Sequence, residues 1–146
     1  VAITQPRRVA ALSTSARVRA ELGLAEDSPL VAHRIRYSST TSADTKLVFM
    51  TDGVLLRELA SDFLLTKYSV VVVDEAHERG VNTDVLIGVL SRVAKLRETQ
   101  GEQEKRVQGY EGANQLIDLA EVDAFFLPLA LRLVIMSATL RVADFA

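Results

Sequence analysis

The sequence predicts an α/β protein in which a mostly parallel sheet is flanked by helices. Short apolar runs bounded by turn residues, which are typical of buried strands, lie at residues 1–4, 30–35, 46–50, 70–73 and 131–136. Stretches with apolar residues at helical spacing separate several of these runs. This alternation is expected when crossover helices join parallel strands.

The helices predicted between these strands have recognisable start and stop signals. Pro6 suits the start of the first helix, and Gly23 marks its end. Thr51 or Asp52 can cap a second helix after the strand at 46–50. The spacing of apolar residues predicts a third helix over about 83–96.

Composition indicates a globular chain and excludes several classes of protein. The 146 residues are 49% hydrophobic and 25% charged, with a net charge of −2 and no cysteine, which is neither a disordered nor a disulfide-stapled composition. No apolar run approaches the roughly 18 residues of a membrane-spanning helix, so no membrane partner is expected. The first 36 residues hold six arginines against three acids, which permits either a local basic surface or only a solvated helix face.

The ends of the chain and one internal stretch do not fit a complete domain. A strand begins at Val1 without a lead-in, and Ala146 follows no stop signal. We therefore expect residues 1–146 to be a fragment of a larger domain. Residues 97–106 are highly charged and offer little to bury, so we expect 97–128 to be a surface insertion.

Two adjacent carboxylates follow the valine run Val70–Val73. This unbroken run predicts a strand buried on both faces, and open α/β sheets bind ligands at the carboxyl ends of their strands. Phosphoryl transfer needs a Mg²⁺ ion and a group that orients the attacking water, and Asp74 and Glu75 can share these tasks. The alternative is that Asp74 only caps the next segment while Glu75 is solvated. A zinc protease is excluded because His77-Glu78 lacks the second histidine of H-E-x-x-H.

Four segments resemble, in order, motifs Ia, Ib, II and III of the DEAH-box helicases of superfamily 2. They are Thr4–Ala11, Met50–Glu58, Asp74–Arg79 and Ser137–Leu140. Because these segments span nearly the whole chain, the resemblance is to the first RecA-like lobe of an ATP-dependent RNA helicase. It implies a RecA-like sheet that is incomplete in this chain, with ATP and Mg²⁺ as cofactors.

The resemblance also implies roles for the residues around the acids. Glu75 would be the base that activates water. Asp74 would hold Mg²⁺, and Glu75 would be the second residue at the metal. His77 would connect the nucleotide site to motif III, which couples hydrolysis to movement between lobes. Arg17 falls where family members stack an arginine on the adenine; otherwise it is an ordinary exposed helix arginine. The motif III residues concerned are Ser137, Ala138 and Thr139.

Contacts to the backbone of single-stranded RNA are implied for Arg7, Arg8, Arg36 and Thr51. Arginines fork onto phosphates and a threonine hydroxyl donates a hydrogen bond, which are contacts that carry little sequence information. Arg36-Tyr37 resembles the hook-turn arginine–aromatic pair of the family. Either Arg7 or Arg8 could instead be a structural arginine.

Two parts of the helicase pattern are absent from residues 1–146. The P-loop G-x-x-x-x-G-K-[ST] does not occur in the sequence and would precede Val1. The second RecA lobe, with its arginine fingers, would follow. We therefore expect the complete protein to be an RNA-stimulated NTPase, and this fragment alone neither to bind ATP tightly nor to hydrolyse it.

The expected insertion is atypical of the family and narrows the resemblance. It separates Asp74 from Ser137 by 63 residues, and Lys67-Tyr68 precede the valine strand at 70–73. These features resemble the nucleolar DEAH helicases of small-subunit ribosome biogenesis. They imply pre-ribosomal RNA and U3 small nucleolar RNA as substrates, an activating or pre-ribosomal protein partner, and a nuclear, nucleolar location. A spliceosomal relative, another P-loop ATPase such as a DNA helicase, and a non-catalytic RNA–protein scaffold remain open alternatives.

Overall fold

A computed structural model of the chain describes residues 1–111 and 130–138. The strands in these ranges are β1 (Ala2–Gln5), β2 (Val31–Ile35), β3 (Ser38–Ser39), β4 (Leu47–Thr51), β5 (Val70–Val73) and β6 (Arg132–Ile135). The helices are α1 (Arg8–Glu21), α2 (Asp52–Ser61) and α3 (Val81–Glu111). A short 3₁₀ turn, Ala76–Glu78, lies between β5 and α3. None of the helices in the described ranges has the length and apolar character needed to cross a bilayer.

The strands form one sheet in the order β3-β2-β4-β1-β5-β6. All neighbouring pairs run parallel except β2 and β3, which are antiparallel. The central strand β1 fixes the register, because Thr4 lies opposite Met50 on one side and Val73 on the other. The α/β class and the mostly parallel sheet are thus confirmed, and the parallel strands all end at one edge of the sheet.

Helices cover both faces of this sheet. On the face that carries α2 and α3, the buried side chains include Met50, Val71 and Leu90. On the opposite face, Ala11 of α1 belongs to a cluster with Phe49. Successive residues of β4 therefore contribute to different clusters, as the alternation of side chains along a strand requires. Removing these side chains from water is the main favourable term in forming the three layers.

Helix α1 begins and ends where the sequence signals predict. It starts two residues after Pro6 and runs to Glu21. Gly23 has φ of 66°, in the left-handed region that favours glycine. Its N–H donates to the carbonyl of Ala20, which satisfies one of the last carbonyls of the helix.

Strand β5 is fully buried on one face only. Val71 and Val73 have no exposed surface, whereas Val70 and Val72 are half-buried. The buried pair faces α2 and α3, while α1 on the other side packs against β1, β2 and β4. The prediction of burial on both faces was therefore wrong for Val70 and Val72. A run of valines does not reveal how far the covering helix extends across the sheet.

Helix α3 continues beyond its predicted end. It has 31 residues and reaches Glu111, whereas the sequence indicated an end near Leu96 and a surface insertion from residue 97. The predicted helix end near Leu96 was thus wrong, whereas the surface insertion stays a prediction, because a helix at 97–111 is compatible with it. Residues 112–128 of the predicted insertion lie outside the described part of the chain.

Arg97 explains why the helix remains packed past its predicted end. Its side chain is buried, and its Nη1 donates hydrogen bonds to the carbonyl oxygens of Leu65 (3.2 Å) and Tyr68 (2.7 Å). Burial lowers the pKa of the Arg97 guanidinium from its ordinary value. A charged residue that looked like part of a solvated segment therefore joins α3 to the turn that precedes β5.

Candidate functional site

The segments predicted to carry function meet at the carboxyl edge of the sheet. They follow β1, β4, β5 and β6, which are neighbours in the order β4-β1-β5-β6. The connection after β1 covers one face of the sheet and the connections after β4 and β5 cover the other. Ligands of open α/β sheets bind at such an edge, where the chain connections diverge.

The Asp74 carboxylate is held by hydrogen bonds from β1 and from the next residue along the chain. Its Oδ2 accepts a hydrogen bond from Gln5 Nε2 at 2.7 Å, and its Oδ1 accepts one from the N–H of Glu75 at 2.8 Å. The short turn Ala76–Glu78 has no side-chain cap. These two donors hold the Asp74 carboxylate, and it accepts no described hydrogen bond from the turn that follows, contrary to the alternative interpretation of the sequence.

Glu75 and His77 are brought together by an unusual backbone conformation. Glu75 has φ of 55°, a left-handed conformation that costs a non-glycine residue about 1–3 kcal/mol. It places Glu75 Oε2 at 3.3 Å from His77 Nδ1. Asp74, Glu75 and His77 are called the acid group below.

The acid group contacts the segment after β6. His77 Nδ1 lies 3.4 Å from the backbone nitrogen of Ala138, and Ala76 N–H donates to Met136 O at 3.0 Å. The predicted neighbours His77 and Ala138 are thus in contact, and half-buried Ser137 lies between Met136 and Ala138. Thr139, the third predicted motif III residue, lies outside the described residues. Motif II and motif III therefore adjoin across β5 and β6.

The oxygen ligands at this edge suit a hydrated Mg²⁺ ion better than a closed metal site. Within the described residues there is no group of three or more histidine, cysteine or acidic side chains that could hold a metal. Mg²⁺ usually keeps several waters and uses one or two protein carboxylates beside substrate phosphates. Each Asp74 oxygen has only one hydrogen-bond donor among the described residues, so lone pairs remain for a metal-bound water.

A cleft of about 480 Å³ opens beside the acid group, where α1, α2, α3 and the β2–β3 turn meet. Its lining includes Arg8, Arg36, Thr51, Arg57 and Asn82, which are called the arginine cleft below, and also Asp52, Gly80 and Thr83. The structure thus brings together three of the four predicted RNA-binding residues. Arg57 and Asn82 were missed, although Arg57 lies within the Met50–Glu58 segment.

Thr51 and the start of α2 give the arginine cleft a second kind of donor. Thr51 is the N-cap residue of α2, but its side chain makes no capping hydrogen bond. A threonine at this position ordinarily accepts from a first-turn N–H of its helix. Its hydroxyl therefore remains available, and the positive end of the α2 dipole adds to the charge of the arginines.

Arg7 and Arg17 lie elsewhere. Arg7 Nη2 pairs with Glu78 Oε1 at 3.1 Å and does not line the cleft. Arg17 Nε pairs with Glu21 Oε1 at 2.7 Å on the exposed side of α1, and this hydrogen bond raises the pKa of Arg17. Of the adjacent pair Arg7-Arg8, only Arg8 joins the cleft, which the sequence could not decide.

Comparison with known proteins identifies the class to which this arrangement corresponds. The chain is homologous to a segment of the DEAH-box ATP-dependent RNA helicases, which confirms the resemblance seen in the sequence. No family model matches the chain. The chain spans about a tenth of the length of the curated relatives it matches most fully.

Three relatives illustrate the similarity. "Probable ATP-dependent RNA helicase DHR1" of Saccharomyces cerevisiae is 49% identical over 146 residues, covering 100% of this chain and 10% of that protein. "ATP-dependent RNA helicase DEAH13" of Arabidopsis thaliana is 46% identical over 146 residues, covering 99% of this chain and 11% of that protein. "ATP-dependent RNA helicase DHX33" of Homo sapiens is 51% identical over 105 residues, covering 69% of this chain and 14% of that protein.

Proposed function

We propose that the chain is part of the first RecA-like lobe of an ATP-dependent RNA helicase. The observation that carries this proposal is the adjacency of the acid group and the arginine cleft at one sheet edge. Nucleotide chemistry and RNA contact can therefore be served by neighbouring loops of one rigid sheet. The second RecA lobe of the same protein would complete the nucleotide site, so residues 1–146 alone are expected to be inactive.

On the nucleotide side, Glu75 is proposed as the base and Asp74 as the acid that holds Mg²⁺ through water. Bound Mg²⁺ would neutralise charge on the ATP phosphates. The bonds from Gln5 and from the Glu75 N–H fix the Asp74 carboxylate. Arg17 is proposed to stack on the adenine; its exposed pair with Glu21 is of a kind that is easily given up.

On the RNA side, the arginine cleft is proposed to bind the sugar–phosphate backbone of a single strand. Arg8, Arg36 and Arg57 would pair with phosphates, and Thr51 would donate from its free hydroxyl. Tyr37 at the tip of the β2–β3 turn is 88% exposed, with the Arg36 guanidinium 4.9 Å from its ring centre. This ring is suited to stack on a base of any identity. Arg7 is proposed to contact RNA only after leaving Glu78.

The test is RNA-stimulated ATPase activity of the complete parent protein, wild type beside Glu75→Gln. Loss of a general base is expected to lower turnover by about 10²- to 10⁴-fold while single-stranded RNA still binds. Glu98→Gln is the matched control, because it makes the same change at an exposed position of α3. ATP turnover that Glu75→Gln leaves unchanged would refute the assigned role.

We further propose that the natural substrates are pre-ribosomal RNA and U3 small nucleolar RNA, acted on in the nucleolus with a pre-ribosomal or activating protein partner. The support is the 63-residue spacing from Asp74 to Ser137. The matches to DHR1 and DEAH13 extend through this spacing, whereas DHX33 matches 69% of the chain.

Crosslinking of RNA to the parent protein in cells, followed by sequencing, tests this narrower proposal. Pre-ribosomal RNA and U3 should dominate the crosslinked RNAs, and spliceosomal RNAs in their place would refute it. Because α3 runs to Glu111, a deletion to test the insertion as a partner-docking segment should be limited to 112–122. ATPase activity should survive this deletion and association with pre-ribosomes should not.

A further inference from the structure

A buried hydrogen bond joins the first turns of α2 and α3. The hydroxyl of Thr83 donates to Asp52 Oδ2. Thr83 is 1% exposed and Asp52 is 4% exposed. A hydrogen bond withdrawn from water in this way is costly to break, because its polar atoms cannot turn to solvent.

This bond lies between the two functional regions. Asp52 directly follows Thr51, and both Asp52 and Thr83 belong to the lining of the cleft, although their side chains are buried. Thr83 lies eight residues after Glu75, at the end of the segment that begins with the acid group. This side-chain hydrogen bond therefore joins the segment that follows Thr51, in the proposed RNA site, to the segment that follows the acid group, in the proposed nucleotide site.

The segment between the acid group and Thr83 is held in a fixed shape. Arg79 has φ of 50°, and its Nε lies 3.0 Å from Asp84 Oδ1. Asp84 N–H donates to Gly80 O at 2.9 Å. A Cβ at Gly80 would lie 3.1 Å from Thr83 Oγ1, so glycine lets the chain pass close to this hydroxyl. A displacement at one end of such a segment is carried to the other end.

The Asp52 carboxylate depends on Thr83 for its hydrogen bonding. Its Oδ1 is buried and has no hydrogen-bond partner among the described residues. Only the bond from Thr83 to Oδ2 is a described side-chain bond to this carboxylate. If that bond is lost, the carboxylate is left buried and unpartnered, so the two helix ends are expected to be either joined or rearranged.

We propose that the Asp52–Thr83 hydrogen bond couples occupancy of the arginine cleft by RNA to the acid group, and is required for RNA to stimulate ATP hydrolysis. Thr83 and Asp52 are positioning residues in this scheme, because their side chains are almost fully buried at the base of the cleft and the arginines and Thr51 are the groups proposed to contact RNA. RNA bound to Thr51 and the arginines holds the start of α2. Through Asp52 and Thr83 it also holds the segment that orients Glu75 and His77. The inference rests on the proposed helicase function.

The test compares Thr83→Val and Thr83→Ser in the complete parent protein. Valine keeps the shape of threonine and removes the donor, whereas serine keeps the donor. We expect Thr83→Val to retain ATPase activity without RNA and affinity for a single-stranded oligoadenylate, each within about twofold. Its stimulation by that RNA should fall about tenfold, within the usual range for coupling between two sites. Thr83→Ser should keep most of the stimulation.

Thr99→Val is the matched control for the substitution itself. It lies on the same helix, is exposed, and its hydroxyl donates to Lys95 O of that helix. Its stimulation by RNA should equal that of the wild type. Stimulation of Thr83→Val at the wild-type level would overturn the coupling. No stimulation of the wild type by RNA would instead refute the proposed function, so the two failures are distinguishable.

Gly80→Ala replaces Thr83→Val if the latter does not fold. The added methyl group would press on Thr83 Oγ1 without removing any hydrogen-bonding atom. Reduced stimulation with unchanged RNA affinity supports the coupling, and full stimulation in a variant whose crystal structure shows the Asp52–Thr83 bond broken overturns it.

Discussion

The acid group and the arginine cleft lie at the same sheet edge but use their polar atoms differently. Asp74 receives hydrogen bonds from Gln5 and from the N–H of Glu75, and His77 contacts Glu75 and Ala138. In the cleft, Arg8 and Arg57 have no ion pair or hydrogen bond to another side chain within the described residues, and Arg36 contacts only the Tyr37 ring.

This difference indicates which geometry is set before a ligand arrives. The acid group is oriented by the protein itself, as expected of groups that must be aligned for a reaction. The cleft instead gathers three arginines against a single acid in its described lining, the buried Asp52, which raises the local positive potential and attracts a polyanion. The first region depends on internal bonds, and the second depends on a partner for its charge balance.

The largest expected effect separates the two regions by RNA affinity. Arg8→Gln with Arg36→Gln should weaken binding of single-stranded RNA, because each charge-assisted hydrogen bond lost costs about 1.5–3 kcal/mol. The slope of log K against log salt should fall by about 0.7 for each phosphate contact removed. Fluorescence anisotropy on the parent protein over a salt series measures both quantities.

Arg7→Gln is the matched control for the cleft arginines. Arg7 pairs with Glu78 and does not line the cleft. Because Arg7 must first leave Glu78 to contact RNA, its replacement should lower the salt slope less than replacement of a cleft arginine. An equal loss for Arg7→Gln would show that the RNA path does not follow the cleft.

A smaller effect is expected where an arginine has its partners inside the protein. Arg97→Met should leave RNA affinity unchanged but remove the donor to the carbonyls of Leu65 and Tyr68. The Tyr68 carbonyl loses a buried donor, which costs about 1–3 kcal/mol, whereas the Leu65 carbonyl keeps the N–H of Tyr68. Amide hydrogen exchange of the parent protein should show faster exchange in β5 and the preceding turn. Arg92→Met, at an exposed position of the same helix, should not; equal exchange in both variants would contradict the assigned role of Arg97.

The smallest expected effect is the pH dependence of the stability of β2, the strand that leads into the turn with Arg36. Burial, with the charge of Arg19, lowers the pKa of His33 below 6.5. The folded state thus disfavours the protonated ring, so this part of the stability is lost as pH falls below 6.5 and retained above it. Exchange of β2 amides, corrected for the intrinsic pH dependence, should show less protection in acid. His33→Gln should weaken this trend; an unchanged trend would assign it to other groups.

Much of the fold was predictable because each predicted strand occurs in the sequence as a separate apolar run. Each expected strand occurs within a few residues of its predicted place, and Gly23 ends α1 as predicted. The end of α3 was not predictable from apolar periodicity, because a charged residue, Arg97, packs in the core by reaching backbone carbonyls. Every residue has a backbone carbonyl, so the sequence does not show which carbonyls are available to accept a hydrogen bond.

The candidate site was predictable as a set of segments and less so as a set of contacts. Asp74, Glu75, Arg36 and Thr51 stand where parallel strands and a tight turn expose them. The sequence did not indicate that Arg8 and not Arg7 lines the cleft, since that depends on a pair formed with Glu78, which is 71 residues away. Asn82 carried no signal, because its place in the cleft follows from how α3 packs on α2.

The length of α3 has a geometric consequence. At about 1.5 Å per residue its 31 residues extend for about 46 Å. The sheet, with six strands spaced by about 4.8 Å, is only about 24 Å wide. Glu111 lies about 21 Å along the helix axis beyond Arg97. Because α3 begins at Val81, which lines the cleft, its last residue lies about 45 Å along the helix axis from the edge of the sheet that carries the acid group and the arginine cleft.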